Sequence, residues 1–169
     1  MTLEPSAEPL RKILTTEEVI ELVNLNGFNF ELETFENVNG YDVLCLYDNT
    51  EDGPTWHVFL GTEKDLYEGF DLVCFLPTIE NPYRCANDWN EVHYKSIMTV
   101  MTDNDSNSMY VHPYFALRLC STVDFSQLLT VERLQAHLDD WLADVDLAYE
   151  LYPYEPEKFV GQTDQDSKD

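Results

Sequence analysis

The chain has 169 residues, 44% of them hydrophobic, which fits one domain with an apolar core of ordinary size and excludes disorder throughout. Against that core stand 33 Asp and Glu and only 9 Lys and Arg, a formal net charge of -24. A surface this negative repels phosphate backbones and anionic leaflets, so direct nucleic-acid binding and polybasic membrane docking are not expected.

Residues 1–13 carry two acids and two bases and read as a flexible N-terminal extension. The opening MTLEPSAEPLRKI lacks the basic and then apolar regions of a signal peptide, and no stretch approaches a membrane span, so the expected compartment is the cytoplasm. The first helix is announced by Thr15 and Glu18, a T-x-x-E capping box, followed by the apolar face of Val19, Ile20, Leu22 and Val23, with Gly27 placed to cap its end. Phe28, Phe30 and Leu32 then alternate with polar residues, the period of a strand with one buried face. Asn39-Gly40 marks a tight turn and Tyr41 to Tyr47 the partner strand. After a loop at Asn49 to Pro54, the runs Trp56 to Leu60 and Phe70 to Leu76 are further strand material, as one interrupted hairpin or as two strands. Asn87 to His93 predicts a short helix, and Ile97 to Thr102 pairs with Met109 to Leu119, where Pro113 suggests an edge or a bulge.

The C-terminal helix has the clearest pattern. From Thr130 as N-cap, Val131, Leu134, Leu138, Trp141, Leu142, Val145 and Ala148 recur at spacings of three and four, and Pro153 ends it. Residues 153–169, with five acids and two bases, read as an acidic, disordered tail. Residues 14–152 therefore form the domain, and within them 26 acids face only Lys64, Arg84, Lys95, Arg118 and Arg133. The acidity belongs to the folded part. Strands grouped between helices give the α+β class: an antiparallel sheet of about five strands with helices packed on one face.

Chemistry is harder to find. Asp103, Asp105 and Asn107 copy the first ligand spacings of a calcium loop, but Ser108 replaces the required Gly and Tyr114 the bidentate Glu. His57, His93, His112 and His137 are too scattered for a metal pair on one helix turn, and Cys45, Cys74, Cys85 and Cys120 lack CxxC spacing and read as reduced, packed thiols. No nucleophile elbow, Walker loop or dinucleotide fingerprint is present. The expectation is a protein without enzymatic activity, catalytic residues, metal or cofactor. Trp89 stands out in the polar context Asn87-Asp88-Trp89-Asn90-Glu91, where its ring either caps the sheet or anchors a partner.

The pattern of Asn87, Trp89 and Asn90, followed by a strand ending at Asp103, a second strand and a long helix closing near Tyr152, resembles the YbjN family of bacterial proteins. The opening helix from Thr15, Gly27 and the strand at Phe30 are similar too, so the resemblance covers roughly residues 14–152. The extra acids, the Asn-rich loop where the family more often carries Asp-Gly, and both terminal extensions depart from it. The resemblance implies a fold like the type III secretion chaperones, which are small, acidic, cytosolic, non-enzymatic and often dimeric, and which bind segments of client proteins. YbjN proteins are usually described as sensory-transduction or regulatory proteins with no agreed catalytic residues.

The function expected is thus an acidic protein-binding module, a chaperone-like or regulatory adaptor, with Trp89, Asn90 and Asn87 as partner-binding residues. Its expected partner is another protein, basic in character, or a second copy of itself as a homodimer. The alternative is a DNA mimic whose carboxylates imitate phosphates and occupy a nucleic-acid-binding protein.

Overall fold

The computed structural model describes residues 13–24, 28, 30–36, 42–48, 56–62, 64–76, 81–93, 95–101, 116–127 and 130–152. Helix α1 (Thr16–Asn24) opens on the expected capping box: Thr15 Oγ1 accepts from the Glu18 amide at 3.2 Å, and Glu18 Oε2 accepts from the Thr15 amide at 3.0 Å. Just before it, Leu14 already belongs to the fold, exchanging backbone hydrogen bonds of 2.9 and 2.7 Å with Tyr67. The sequence readings at Gly27, Asn39-Gly40, Asn49 to Pro54, Asp103 to Tyr114 and both chain ends lie outside the described residues.

Strands β1 (Phe30–Glu36), β2 (Asp42–Asp48), β3 (Trp56–Thr62) and β4 (Gly69–Leu76) form an antiparallel meander. Helix α2 (Pro82–Val92) then leads to β5 (Ile97–Val100) at the far edge. Strand β6 (Leu117–Asp124) returns between β5 and β4, and α3 (Val131–Leu151) closes the described chain. The order is β1-β2-β3-β4-β6-β5, with every pair antiparallel. The α+β class holds, with six strands rather than about five, because the runs at Trp56 and Phe70 are two complete, paired strands. Of the two readings at Pro113, an edge or a bulge, the edge is overturned, since the last strand lies between β4 and β5, and the strand continues to Asp124 instead of stopping at Leu119; Pro113 itself lies outside the described residues.

All three helices share one face of the sheet. Val19, Leu22 and Val23 of α1, Ala86 and Trp89 of α2, and Leu134, Leu138, Trp141 and Val145 of α3 join a single core with alternate residues of the strands, such as Leu44, Val58, Leu72 and Leu119. Each such fully buried side chain contributes about 2 kcal/mol of transfer free energy. Rings tie the layers together: Phe28, Phe30 and Trp56 meet edge to face with centroids 4.9 to 5.5 Å apart, and Trp56 meets Trp141 of α3 at 6.2 Å. Among the described residues, no helix is long and apolar enough to cross a membrane.

The opposite face of the sheet is also apolar, which is unusual for an antiparallel sheet. Val43, Cys45, His57, Val73 and Phe75 are all buried there. Between β2 and β3 the register shifts at Leu44/Cys45, and Gly61 takes a φ of 85° at that irregularity, a conformation that excludes most side chains.

Two positions test this packing. Gly69 pairs with Asp124, and a Cβ on it would meet the Val123 carbonyl oxygen at 2.2 Å. Gly69→Ala forces β4 away from β6 and lowers stability in urea unfolding by about 2–3 kcal/mol; an unchanged midpoint would refute the tight approach. His57 is only 8% exposed, and burial pulls its pKa from 6.5 down to about 4. As pH falls, the unfolded chain takes up this proton near 6.5 while the folded one resists until about 4, so stability is lost across that window and unaffected above it. His57→Gln removes this dependence, and the difference between the pH profiles of the two proteins amounts to roughly 3 kcal/mol. Parallel profiles would show that His57 is not held neutral.

Candidate functional site

Helix α2 carries the residues singled out from the sequence, and it begins five residues earlier than expected. Asn81 Oδ1 accepts from the Arg84 amide at 3.2 Å, and Pro82 occupies the first helical position, where no amide donor is needed. The earlier start sets which side chains face the sheet. Ala86 and Trp89 turn inward, while Asn87, Asp88 and Glu91 turn to solvent.

Trp89 is 2% exposed. Its Nε1 donates to Ser96 Oγ at 3.3 Å, and its ring stacks on His93 with centroids 4.0 Å apart and planes 22° from parallel. Of the two roles the sequence allows Trp89, capping the sheet or anchoring a partner, its burial and contacts are those of the packing role. Asn90 also works internally: Nδ2 donates to the Met98 carbonyl and Oδ1 accepts from the Met98 amide, both at 2.8 Å. The side chain stands in for a strand partner along the outer rim of β5, where backbone groups would otherwise be unpaired. Asn87 makes neither kind of contact and stays on the solvent side of the helix.

Beside α2 the structure assembles a polar cluster that spacing in the sequence does not reveal. Ser96, 1% exposed, donates to Asp144 Oδ2 at 2.6 Å, and the other oxygen of Asp144 lies 3.9 Å from His93 Nδ1. Lys95 Nζ pairs with Asp140 on the next turn of α3. Ser121 Oγ donates to the Lys95 carbonyl at 3.1 Å and lies 2.9 Å from His137 Nε2. These bonds fasten the link between α2 and β5 to α3 and β6. They border a cavity of about 200 Å³ that Trp141 also lines, with an indole Nε1 that donates to none of the described residues.

A serine touching a histidine invites comparison with a nucleophile and its base. The Lys95 carbonyl competes for the same hydrogen. With the Ser121 hydroxyl donating to that carbonyl, which only accepts, the tautomer that completes the contact carries its hydrogen on His137 Nε2 and donates it to Ser121. A general base needs that nitrogen bare. Burial lowers the His137 pKa, with Asp140 opposing the shift and Lys95 adding to it. Three of the thiols are also poorly placed for nucleophilic chemistry: burial pushes Cys45 and Cys74 up to about 12 and Cys120 to about 11. Among the described residues, no three His, Cys, Asp or Glu side chains come together as a metal site.

The outward face of α3 is the most regular charged feature. Glu132, Ala136, Asp139, Ala143, Asp146 and Glu150 are all exposed and recur at alternating steps of four and three, which aligns them in one stripe along the helix. Ala136 separates Glu132 from Asp139 and Ala143 separates Asp139 from Asp146, and the last turn of the helix contains no basic side chain. Sequence reading recognises the anionic face but not its straightness, which emerges only once the helix is seen to run unbroken from Val131 to Leu151.

Comparison with protein-family models, with curated proteins and with solved structures found no match to the chain.

The two asparagines of α2 separate cleanly in urea unfolding. Asn90→Ala leaves the Met98 amide and carbonyl without partners and lowers stability by about 1–2 kcal/mol, whereas Asn87→Ala changes it by less than about 0.5 kcal/mol. Equal effects would contradict the strand-substitute role of Asn90.

Proposed function

We propose that this chain is a non-enzymatic protein-binding module of the YbjN type, a cytoplasmic chaperone-like or regulatory adaptor that receives a basic segment of a partner along the outward face of α3. The observation that carries this reading is the stripe from Glu132 to Glu150, with Ala136 and Ala143 between its carboxylates. Alanines let a partner backbone approach closely, and the carboxylates flank it with acceptors for Lys or Arg.

The helix dipole adds a physical reason. The C-terminal end of a helix carries partial negative charge and favours cations, yet α3 ends with Asp146 and Glu150 and with no basic residue in its last turn. A cation brought by a partner relieves repulsion that the free protein bears, so association is favoured there and quickens at low salt. The α+β architecture with helices on one face agrees with the fold class that the YbjN resemblance implies, and membership of that family is part of the proposal.

Duplex mimicry needs two rows of charge with phosphate-like spacing. On the outward face of α3 the stripe carboxylates form one row, in which Glu132, Asp139 and Asp146 are seven residues apart, about 10 Å at the helical rise, while Asp140 and Asp144 are taken up by Lys95 and Ser96.

The test is affinity capture from a lysate of the source cell at several salt concentrations, with wild type and a triple variant, Asp139→Asn, Asp146→Asn and Glu150→Gln. Wild type recovers a basic protein whose capture weakens as salt rises, and the variant, equally stable, loses it. Capture that is absent, or that ignores both salt and the triple change, overturns the proposal. Partners that are nucleic-acid-binding proteins released by added duplex DNA would favour mimicry instead.

A further inference from the structure

The face of the sheet turned away from the helices holds a cavity of about 160 Å³ over β3, β4 and β6. Strand pairing builds it. His57 sits opposite Val73 and Phe59 opposite Asp71 on one side of β4; on the other side, Val73 faces Cys120, Asp71 faces Thr122 and Phe75 faces Arg118. Phe59, Val73 and Phe75 supply apolar walls. Two of the polar groups are uncharged near neutral pH, because burial holds the His57 imidazole down at about 4 and the Cys120 thiol up at about 11. Asp71 has a partner, since Thr122 Oγ1 donates to its Oδ1 at 2.7 Å.

Arg118 is the group left over. A guanidinium stays charged under all ordinary conditions and offers five N–H donors in a planar fork. Its Nε is buried and donates to none of the described residues, and none of the ion pairs among them includes it. In a chain with 33 acids, a half-buried cation that lines a cavity and is in ion-pair contact with none of the described carboxylates is an unmet demand for an anion.

We propose that this cavity binds a small carboxylic acid with one apolar ring or a short branched chain, its carboxylate accepting from the Arg118 guanidinium and its body lying against Phe59, Val73 and Phe75. Size sets the upper limit, because an apolar cavity of about 150 Å³ accommodates a single benzene ring. Charge sets the class. One guanidinium fork matches one carboxylate, whereas a dianion such as phosphate would put a second negative charge in a largely apolar site that also contains Asp71. The site is independent of the acidic face of α3, which lies on the other layer.

The experiment titrates the full chain with benzoate and with 3-methylbutanoate, at constant pH and ionic strength, followed by thermal shift and by the side-chain Nε–H resonance of Arg118. Benzamide, with the same ring and no charge, and inorganic phosphate, with charge and no ring, serve as controls. At least one of the two acids raises the melting temperature saturably and moves the Arg118 resonance, while neither control does so. Arg118→Met weakens binding by roughly tenfold or more, and Arg118→Lys, which keeps the charge but not the fork, falls between. The resonance in the wild-type protein decides the matter even where Arg118→Met does not fold. No saturable effect of either acid, equal binding of benzamide, or a folded Arg118→Met that binds as wild type does would each overturn the proposal. Saturable binding of phosphate alone would overturn the assigned ligand class.

Discussion

The burial of β4 on both of its faces is the constraint on which the remaining features depend. Its run from Phe70 to Leu76 gives Phe70, Leu72, Cys74 and Leu76 to the helix side and Val73 and Phe75 to the other, with pairing to β3 from Asp71 to Cys74 and to β6 along its whole length. A slip of one residue would move Asp71 into the main core and expose Leu72, so the register is held by hydrophobic pattern on two sides at once. With β4 fixed, β6 must match it residue for residue from Gly69–Asp124 to Leu76–Leu117, and this determines where Ser121 and Arg118 end up. Ser121 falls on the helix side beneath His137, and Arg118 on the far side beside Phe75.

The helices and the meander are legible in the sequence because their signals are local. The capping box at Thr15, the cap at Thr130 and the three-and-four spacing of α3 each depend on residues within a few turns. Three features are hidden for identifiable reasons. Pro82 reads as a connector until Asn81 is recognised as its cap, which shifts the start of α2 and turns Trp89 inward despite polar neighbours on either side. The end of β6, Cys120 to Asp124, looks too polar for an interior strand, because the hydroxyl of Ser121 is satisfied by a carbonyl and an imidazole that come from other elements. Asn90 shows no sign in one dimension that its amide serves β5, eight residues further on.

The charge imbalance is handled by separation. Carboxylates occupy the outward faces of α1, α2 and α3, where water and salt screen them, and the exposed ion pairs Arg84–Asp88 and Lys95–Asp140 contribute little individually. Two half-buried carboxylates accept from hydroxyls, Asp144 from Ser96 and Asp71 from Thr122. Among the described residues the exposed carboxylates Asp146 and Glu150 stand at the end of α3 with no basic side chain in its last turn.

Arg118 inverts that arrangement. Its cross-strand partner is Phe75, while Asp71, the carboxylate on the same face of β4, lies four residues along the strand, about 13 Å at the rise of a strand. The same register that gives Asp71 the Thr122 hydroxyl thus withholds Asp71 from the guanidinium. Moving either residue into reach would require the register slip that double burial of β4 forbids, or a bulge that the continuous β4–β6 ladder does not contain. The packing that stabilises the sheet therefore leaves Arg118 beside the cavity without an ion pair to any of the described carboxylates.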